Sequence, residues 1–315
     1  MFTVVPAEMS PTRAQGFGGF LESSLGSVVL TPSFKFGYQV MGLNINAPIP
    51  KGATPGKVHL FGIEGLDATL RRSHMWVASG RLAAQLGDWY FFVAASGAVP
   101  RKVVARFDQH PMFLGAKANV PLEMTDSKLS WWLVEGGTGV EVWDKVILFT
   151  GLRRDQVAAT LSGPRFEGSS SVSLDSAGDL SGDLLARLWI PYVGINVSGS
   201  RFSSSLAYSP FGFAQLKLPW TRVDQGNSVG ETALYSFQTP GVFLETKFDY
   251  DVRIRRVFDL GVWVKGTWLR FRGGGEEHLK QTVTAPASVT QESGSSHSSI
   301  NRYDMSLGLT AAMAF

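Results

Sequence analysis

In GVFLETKFDYDVR the side chains of Glu245, Lys247, Asp249, Asp251 and Arg253 recur at every second position, so a strand through them would align their charges on one face. Arg81, Glu135, Glu141, Arg201 and Lys265 fall at positions of other alternating segments from which they can face the same interior. Such a set forms ion pairs or lines a polar path. Three further groupings hold residue types used in catalysis or metal binding. Asp108 and His110 in FDQHP have Asp-x-His spacing. Glu276, Glu277 and His278 in GGGEEHLK combine carboxylates with imidazole, ligands that suit Zn or Mn. His297 and Ser299 in ESGSSHSS place an imidazole two positions from a hydroxyl. The last two groupings lie in Gly- and Ser-rich stretches, where exposed loop rim is the simpler reading, so neither a metal nor a cofactor is expected. His74, beside Arg71 and Arg72, marks the outer end of its segment.

The elements that would carry these residues show most plainly at the C-terminus. In RYDMSLGLTAAMAF, Tyr303, Met305, Leu307, Leu309, Ala311, Met313 and Phe315 alternate with Arg302, Asp304, Ser306, Gly308, Thr310, Ala312 and Ala314. Period two over this length predicts a strand with one apolar and one polar or small face. Similar segments recur in pairs joined by short turns. Leu70 to Leu86 meets Trp89 to Val99, and Trp132 to Val142 meets Val146 to Thr160. Arg187 to Val197 meets Arg201 to Leu218, and Thr232 to Val252 meets Leu260 to Arg272. With Pro32 to Ile45 and the closing segment, the pattern predicts ten strands, within a range of 8–12. The connections on the other side are long and rich in Gly, Ser, Pro and charge, which predicts solvent-facing loops. Residues 1–27 fit no strand and are expected to form an arm, periplasmic or tucked inside, ahead of a barrel spanning residues 28–315.

Composition separates a soluble sandwich from a membrane barrel. Of 315 residues 44% are hydrophobic but only 17% charged, against about 25% in an average soluble domain. Yet no run approaches the roughly 20 apolar residues of a spanning helix. Cysteine is absent, which excludes disulfides and thiolate metal sites, and a net charge of +3 gives no support for nucleic-acid binding. In GVFLETKFDYDVR, Val242, Leu244, Phe248, Tyr250 and Val252 oppose the charged set, and Trp76, Leu82 and Leu86 oppose Arg71, Ser79, Arg81 and Gln85. A sandwich would need a well-charged outer face, but the polar faces here are mostly Gly, Ser, Ala and Thr with clustered opposite charges. An Arg or Lys on the lipid face near the midplane would cost about 2–4 kcal/mol, and the segregation avoids it. The strands from Val146 and from Arg187 are apolar on both faces, so their phase is undetermined. Trp89, Tyr90 and Trp143 near the short turns and Trp131, Trp132, Trp220 and Trp268 toward the loops suit two interfacial belts.

Short turns on one side, long loops on the other and an even strand number resemble a bacterial outer-membrane β-barrel. In that resemblance Tyr303, Leu307, Leu309, Met313 and Phe315 correspond to the signal read by the barrel-assembly machinery. Ten strands narrow the likeness to the omptins, outer-membrane proteases, and IPYVGINVSGSRFSSSLAYSPFGF is similar to their middle hairpin. Omptins carry an Asp pair facing an Asp-His pair in a later loop. Here Asp108 and His110 follow the third strand, and the later loop LPWTRVDQGNSVG has no histidine. The His297/Ser299 spacing is likewise similar to that of barrel-type lipid A deacylases.

These readings predict an all-β fold, a transmembrane antiparallel up-and-down barrel in a Gram-negative outer membrane. The first residues lack a secretory leader, so one is expected to have been removed, with Met1 a remnant or an introduced start. Function is expected to be non-enzymatic: a small porin-like or structural barrel with an ion-paired lumen, either plugged or a narrow charged path. The alternatives are an omptin-like or lipid-modifying hydrolase and an accessory barrel of a larger assembly. Expected partners are the bilayer, lipopolysaccharide, the assembly machinery, and a protein bound through the outer loops or the N-terminal arm.

Overall fold

A computed structural model describes residues 19–23, 26–47, 66–107, 122–166, 179–199, 201–224, 227–255, 258–284 and 287–313. Its strands are β1 (Gly19–Ser23), β2 (Gly26–Ala47), β3 (Leu66–Leu86), β4 (Trp89–Phe107), β5 (Leu122–Trp143), β6 (Val146–Leu161), β7 (Pro164–Phe166), β8 (Asp179–Ser198), β9 (Phe202–Asp224), β10 (Asn227–Arg255), β11 (Phe258–Thr284) and β12 (Ala287–Met313). No helix occurs among the described residues. Ten strands form an antiparallel ring in the order β2-β12-β11-β10-β9-β8-β6-β5-β4-β3, and pairing of β2 with β3 from Val28↔Leu86 to Ala47↔Leu66 shuts it. Closure leaves no edge in the ring, which hydrocarbon demands because it cannot hydrogen-bond an open ladder.

The two short strands patch the ring. Pairing of β12 with β2 stops at Ala311↔Phe34, and β1 takes over the same edge of β2 from Gly19↔Leu30 to Ser23↔Gly26. Part of the expected arm, residues 19–23, is therefore strand, and β2 begins before residue 28. At the other rim, Gly163 (φ 69°) breaks the line of β6, and β7 resumes pairing with β5 at Pro164↔Met124.

The hairpins turn where the sequence predicts. Gly87 (φ 58°) with Asp88 joins β3 to β4, and Asp144 with Lys145 joins β5 to β6. Lys145 takes φ 71°, a conformation that favours glycine, and its N–H is held by the Glu141 carboxylate at 3.2 Å. Two of the expected outer loops are instead strand. The described residues of PWTRVDQGNSVG belong to β9 and β10, paired to Asn227↔Asp224, and those of GGGEEHLKQTVTAPASVTQESGSSHSS to β11 and β12, paired to Thr284↔Ala287. Strands of 23, 29, 27 and 27 residues far exceed the roughly 9–11 needed to cross a bilayer. These four therefore project well beyond the bilayer on the side away from the short turns.

Facing follows the alternation. On β12, Tyr303, Met305, Leu307 and Leu309 lie outside, the last 63% exposed, while Arg302, Asp304, Ser306 and Thr310 are buried inside. On β10, Phe248 and Tyr250 point out and Glu245, Lys247 and Asp249 point in. Phe34, Phe36, Trp76, Phe91, Val93, Leu206 and Val264 extend the exposed apolar surface around the ring.

The expectation of an ionic interior holds for only part of the cylinder. Farther from the short turns the lumen is packed with Met41, Ile45, Leu70, Met124, Leu129, Leu188, Leu216, Leu269, Phe271 and Ile300, all at most 2% exposed. Hydrocarbon outside and a dry core inside select apolar residues on both faces of these stretches. That is why the strands from Val146 and Arg187 carried no readable phase. Two aromatics assigned to the belts also belong inside: Tyr90 and Trp131 face the lumen, whereas Trp89 and Trp143 face out.

Candidate functional site: the closed lumen and its polar cavity

Six inward charges meet across the barrel. Asp155 on β6 accepts hydrogen bonds from Arg302 Nη1 at 2.8 Å and Nη2 at 2.7 Å, so the pair is bidentate. β6 and β12 stand five steps apart either way round the ten-strand ring, so this pair joins opposite walls. Trp131 Nε1 donates to Asp155 Oδ1 at 2.8 Å, Arg153 Nη2 to Asp155 Oδ2 at 3.2 Å, and Arg302 Nη2 to Asp304 Oδ2 at 3.0 Å. Arg153 also pairs with Glu245 on β10, which takes a hydrogen bond from Thr267 at 3.2 Å and lies 3.5 Å from Lys265 Nζ. The side chains of Arg153, Asp155 and Arg302 have no solvent exposure. The guanidinium of Arg153 sits 5.1 Å from the Phe243 ring, which fixes its plane.

Between this cross-brace and the short turns lies a cavity of about 150 Å³, adjoined by one of about 70 Å³. Around it Asp249 pairs with Lys35 and, at 2.9 Å, with Lys247. An arc of rings walls one side: Tyr90 and Phe92 on β4, Phe149 on β6, Tyr192 on β8 and Phe243 on β10, with successive centroids 6.0–6.4 Å apart. Glycines admit the rings. A Cβ on Gly151 would fall 2.7 Å from Tyr192 Cζ, and one on Gly194 would overlap the Phe149 ring.

Of the charged residues read from the sequence, Arg81, Glu135, Glu245, Lys247, Asp249 and Asp251 line the larger cavity and Lys265 the smaller. Glu141 is drawn into the β5–β6 turn instead, and Arg201 is exposed at the β8–β9 turn, where its carbonyl accepts the Asp251 N–H at 2.8 Å. Tyr303, Leu307 and Leu309 lie on the outer face. Phe315, the side chains of Arg253 and Met313, and Asp108 with His110 lie outside the described residues. So do the side chains of Glu276, Glu277, His278 and His297, although their backbones belong to β11 and β12. His74 faces out, with Nδ1 2.7 Å from the Tyr38 hydroxyl.

Sequence reasoning missed the most buried members. Lys35, Arg153, Asp155, Arg302 and Asp304 lie outside the charged set read from the sequence. Arg302 and Asp304 share the polar phase of the closing strand, and Lys35 occupies the inward phase of FKFGYQV, so alternation alone would have found these three. Arg153 and Asp155 sit in LRRDQVAATL, where that signal fails.

No protein-family model matches the chain, and the sequence of no curated protein matches it. Its fold is similar to solved structures of outer-membrane proteins. The Escherichia coli outer-membrane protease OmpT superposes with a TM-score of 0.62 at 10% identity, over 93% of this chain and 98% of that one. A Pseudomonas aeruginosa FadL homologue (TM-score 0.30, 11% identity, 89% of each chain) and the translocator domain of the Neisseria meningitidis autotransporter NalP (0.34, 11%, 89% and 87%) resemble it too distantly to carry an argument. With its closed ten-strand ring and outward apolar surface, the chain is a bacterial outer-membrane β-barrel. It resides in the outer membrane, with bilayer lipid as its surroundings.

Proposed function

We propose that this is a non-enzymatic barrel closed to diffusion, which anchors four elongated strands above the outer membrane rather than conducting solute. The Asp155–Arg302 pair carries the reading. It ties opposite walls together without solvent exposure, and it is flanked outward by Leu188, Leu269 and Ile300, which are at most 1% exposed. A barrel of about eight strands is just filled by side chains, whereas aqueous porins use about 16–18, so ten strands suit a filled interior. Tyr303, Leu307, Leu309, Met313 and Phe315 would serve as the assembly-machinery signal, and lipopolysaccharide would surround the outer half.

Planar-bilayer recording tests the closure: the folded wild type is expected to be silent, and reproducible unitary steps would overturn the reading. Incubation with a peptide library and with lipopolysaccharide tests the absence of catalysis. Turnover that disappears in Asp108→Ala or His110→Ala would establish a hydrolase instead. A second reading, an accessory barrel of a larger assembly, draws on the length of β9 to β12, whose outer portions offer a docking surface. Recovery of a stoichiometric complex after mild extraction would favour it.

A further inference from the structure

Arg81 and Glu135 are the two described cavity charges without a close ion pair, and they attract one another across a gap. Lys35 and Lys247 serve Asp249, and Arg153 and Lys265 serve Glu245. Among the described residues no carboxylate comes within ion-pair distance of the Arg81 guanidinium, no hydrogen bond reaches Glu135, and the Arg81 Nε is buried without a hydrogen-bond partner. Leaving a buried polar group unsatisfied is costly. Arg81 is nevertheless held in place, its guanidinium 4.8 Å from the Phe92 ring and 5.6 Å from the Tyr90 ring. Rings orient a cation without neutralising it.

The register sets the two residues on either side of a gap. Arg81 on β3 pairs with Ala94 on β4, and Ala94 with Glu135 on β5, so their backbones lie two strand spacings apart, about 10 Å. Only a methyl group stands between them. Their long side chains reach inward above it, and both line both cavities. A carboxylate set on Arg81 and an ammonium set on Glu135 would satisfy both groups. These two charges need lie only as far apart as they do on one α-carbon. An apolar body attached to the same carbon would meet the wall formed by Phe92, Phe149 and Tyr192. The cavity of about 150 Å³ has room for a benzene-sized ring, and the adjoining one of about 70 Å³, also lined by Arg81 and Glu135, for the charged head. The larger cavity also reaches Gln85, Asn196 and Ser203 beside the short turns, so a ligand can approach from that side without crossing the Asp155–Arg302 pair.

We propose that the cavity binds a small zwitterion with one apolar ring, of the aromatic α-amino-acid class, with Arg81 on its carboxylate and Glu135 on its ammonium. This goes beyond the closed-barrel reading and stands independently of it, because conductance tests the one and calorimetry the other.

Titration calorimetry of the full chain in detergent with phenylalanine, phenethylamine and 3-phenylpropionate decides. Phenylalanine is expected to bind one to one, and each singly charged analogue at least about tenfold more weakly, the loss that one charge-assisted hydrogen bond represents. Arg81→Gln should weaken phenylalanine about tenfold and leave phenethylamine unchanged. Glu135→Gln should do the same to phenylalanine and leave 3-phenylpropionate unchanged. Ala94→Leu, which fills the gap and keeps both charges, should abolish binding. No heat from phenylalanine up to about 10 mM, a concentration that would reveal even millimolar affinity, overturns the proposal. So does equal binding of all three probes, or binding that survives Ala94→Leu. The three-probe comparison uses the wild type, so it decides even where a variant fails to fold.

Discussion

At the scale of single residues, Asp155 bears more than any other described side chain in the lumen, since it accepts from Arg302, Arg153 and Trp131 at once and is without solvent exposure. Removing one partner from a buried pair strands the other, at a cost of about 3–5 kcal/mol. Asp155→Ala and Arg302→Ala should each lower unfolding free energy by that amount in urea titrations of the liposome-inserted protein, and the double variant by clearly less than their sum. Strict additivity would mean that the two groups do not interact. Asp155 was hidden in the sequence because its neighbours look alike on both sides. In LRRDQV, Arg153 points in to Glu245, whereas the adjacent Arg154 points out and lies 5.2 and 5.6 Å from the rings of Trp132 and Trp189. Two consecutive arginines with opposite destinations carry no phase of their own.

Among the elements, the closing strand displays the physics most simply, because hydrocarbon on one side and a crowded polar lumen on the other select residues independently. Leu307→Arg would place a charge on the lipid face and should cost about 2–4 kcal/mol if it lies near the midplane, read as a lower urea midpoint for refolding into liposomes. A cost below about 0.5 kcal/mol, as at an ordinary surface site, would contradict the assigned face. Gly194→Ala introduces a Cβ into the space of the Phe149 ring and should destabilise by about 1–3 kcal/mol, as overpacking does. Phe149→Leu in the same background should restore much of the loss, and no restoration would show that the ring is not the obstacle. The same selection explains why the outer portions of β9 to β12 have the composition of loops. Beyond the bilayer no lipid requires an apolar face, so Ser, Thr, Gly and charge dominate, while register continues to Asn227↔Asp224 and Thr284↔Ala287. Composition there reports the solvent; the ladder of backbone hydrogen bonds reports the strand.

For the whole molecule, ring closure and the outward apolar surface follow from alternation that the sequence displays openly, and ten strands could be counted from it. The dry outer half of the lumen could not, because a core inside a membrane cylinder looks like lipid contact. The interior therefore changes character along the axis, from an aromatic-walled polar cavity near the short turns, through the Asp155 cross-brace, to an aliphatic core. The account rests on the claim that the apolar face of each strand meets hydrocarbon while its partner face lies inside a closed cylinder. Because the chain has no cysteine, spin labels can be introduced singly at each position from Arg302 to Thr310 in liposome-inserted protein. Electron paramagnetic resonance with dissolved oxygen and a water-soluble nickel chelate then reads the surroundings of each label. The account predicts strong oxygen contact at Tyr303, Met305, Leu307 and Leu309, and little contact with either reagent at Arg302, Asp304, Ser306 and Thr310. Strong nickel contact at the even positions would reveal an open aqueous lumen, and oxygen contact on the even rather than the odd set would contradict the inside-out arrangement outright.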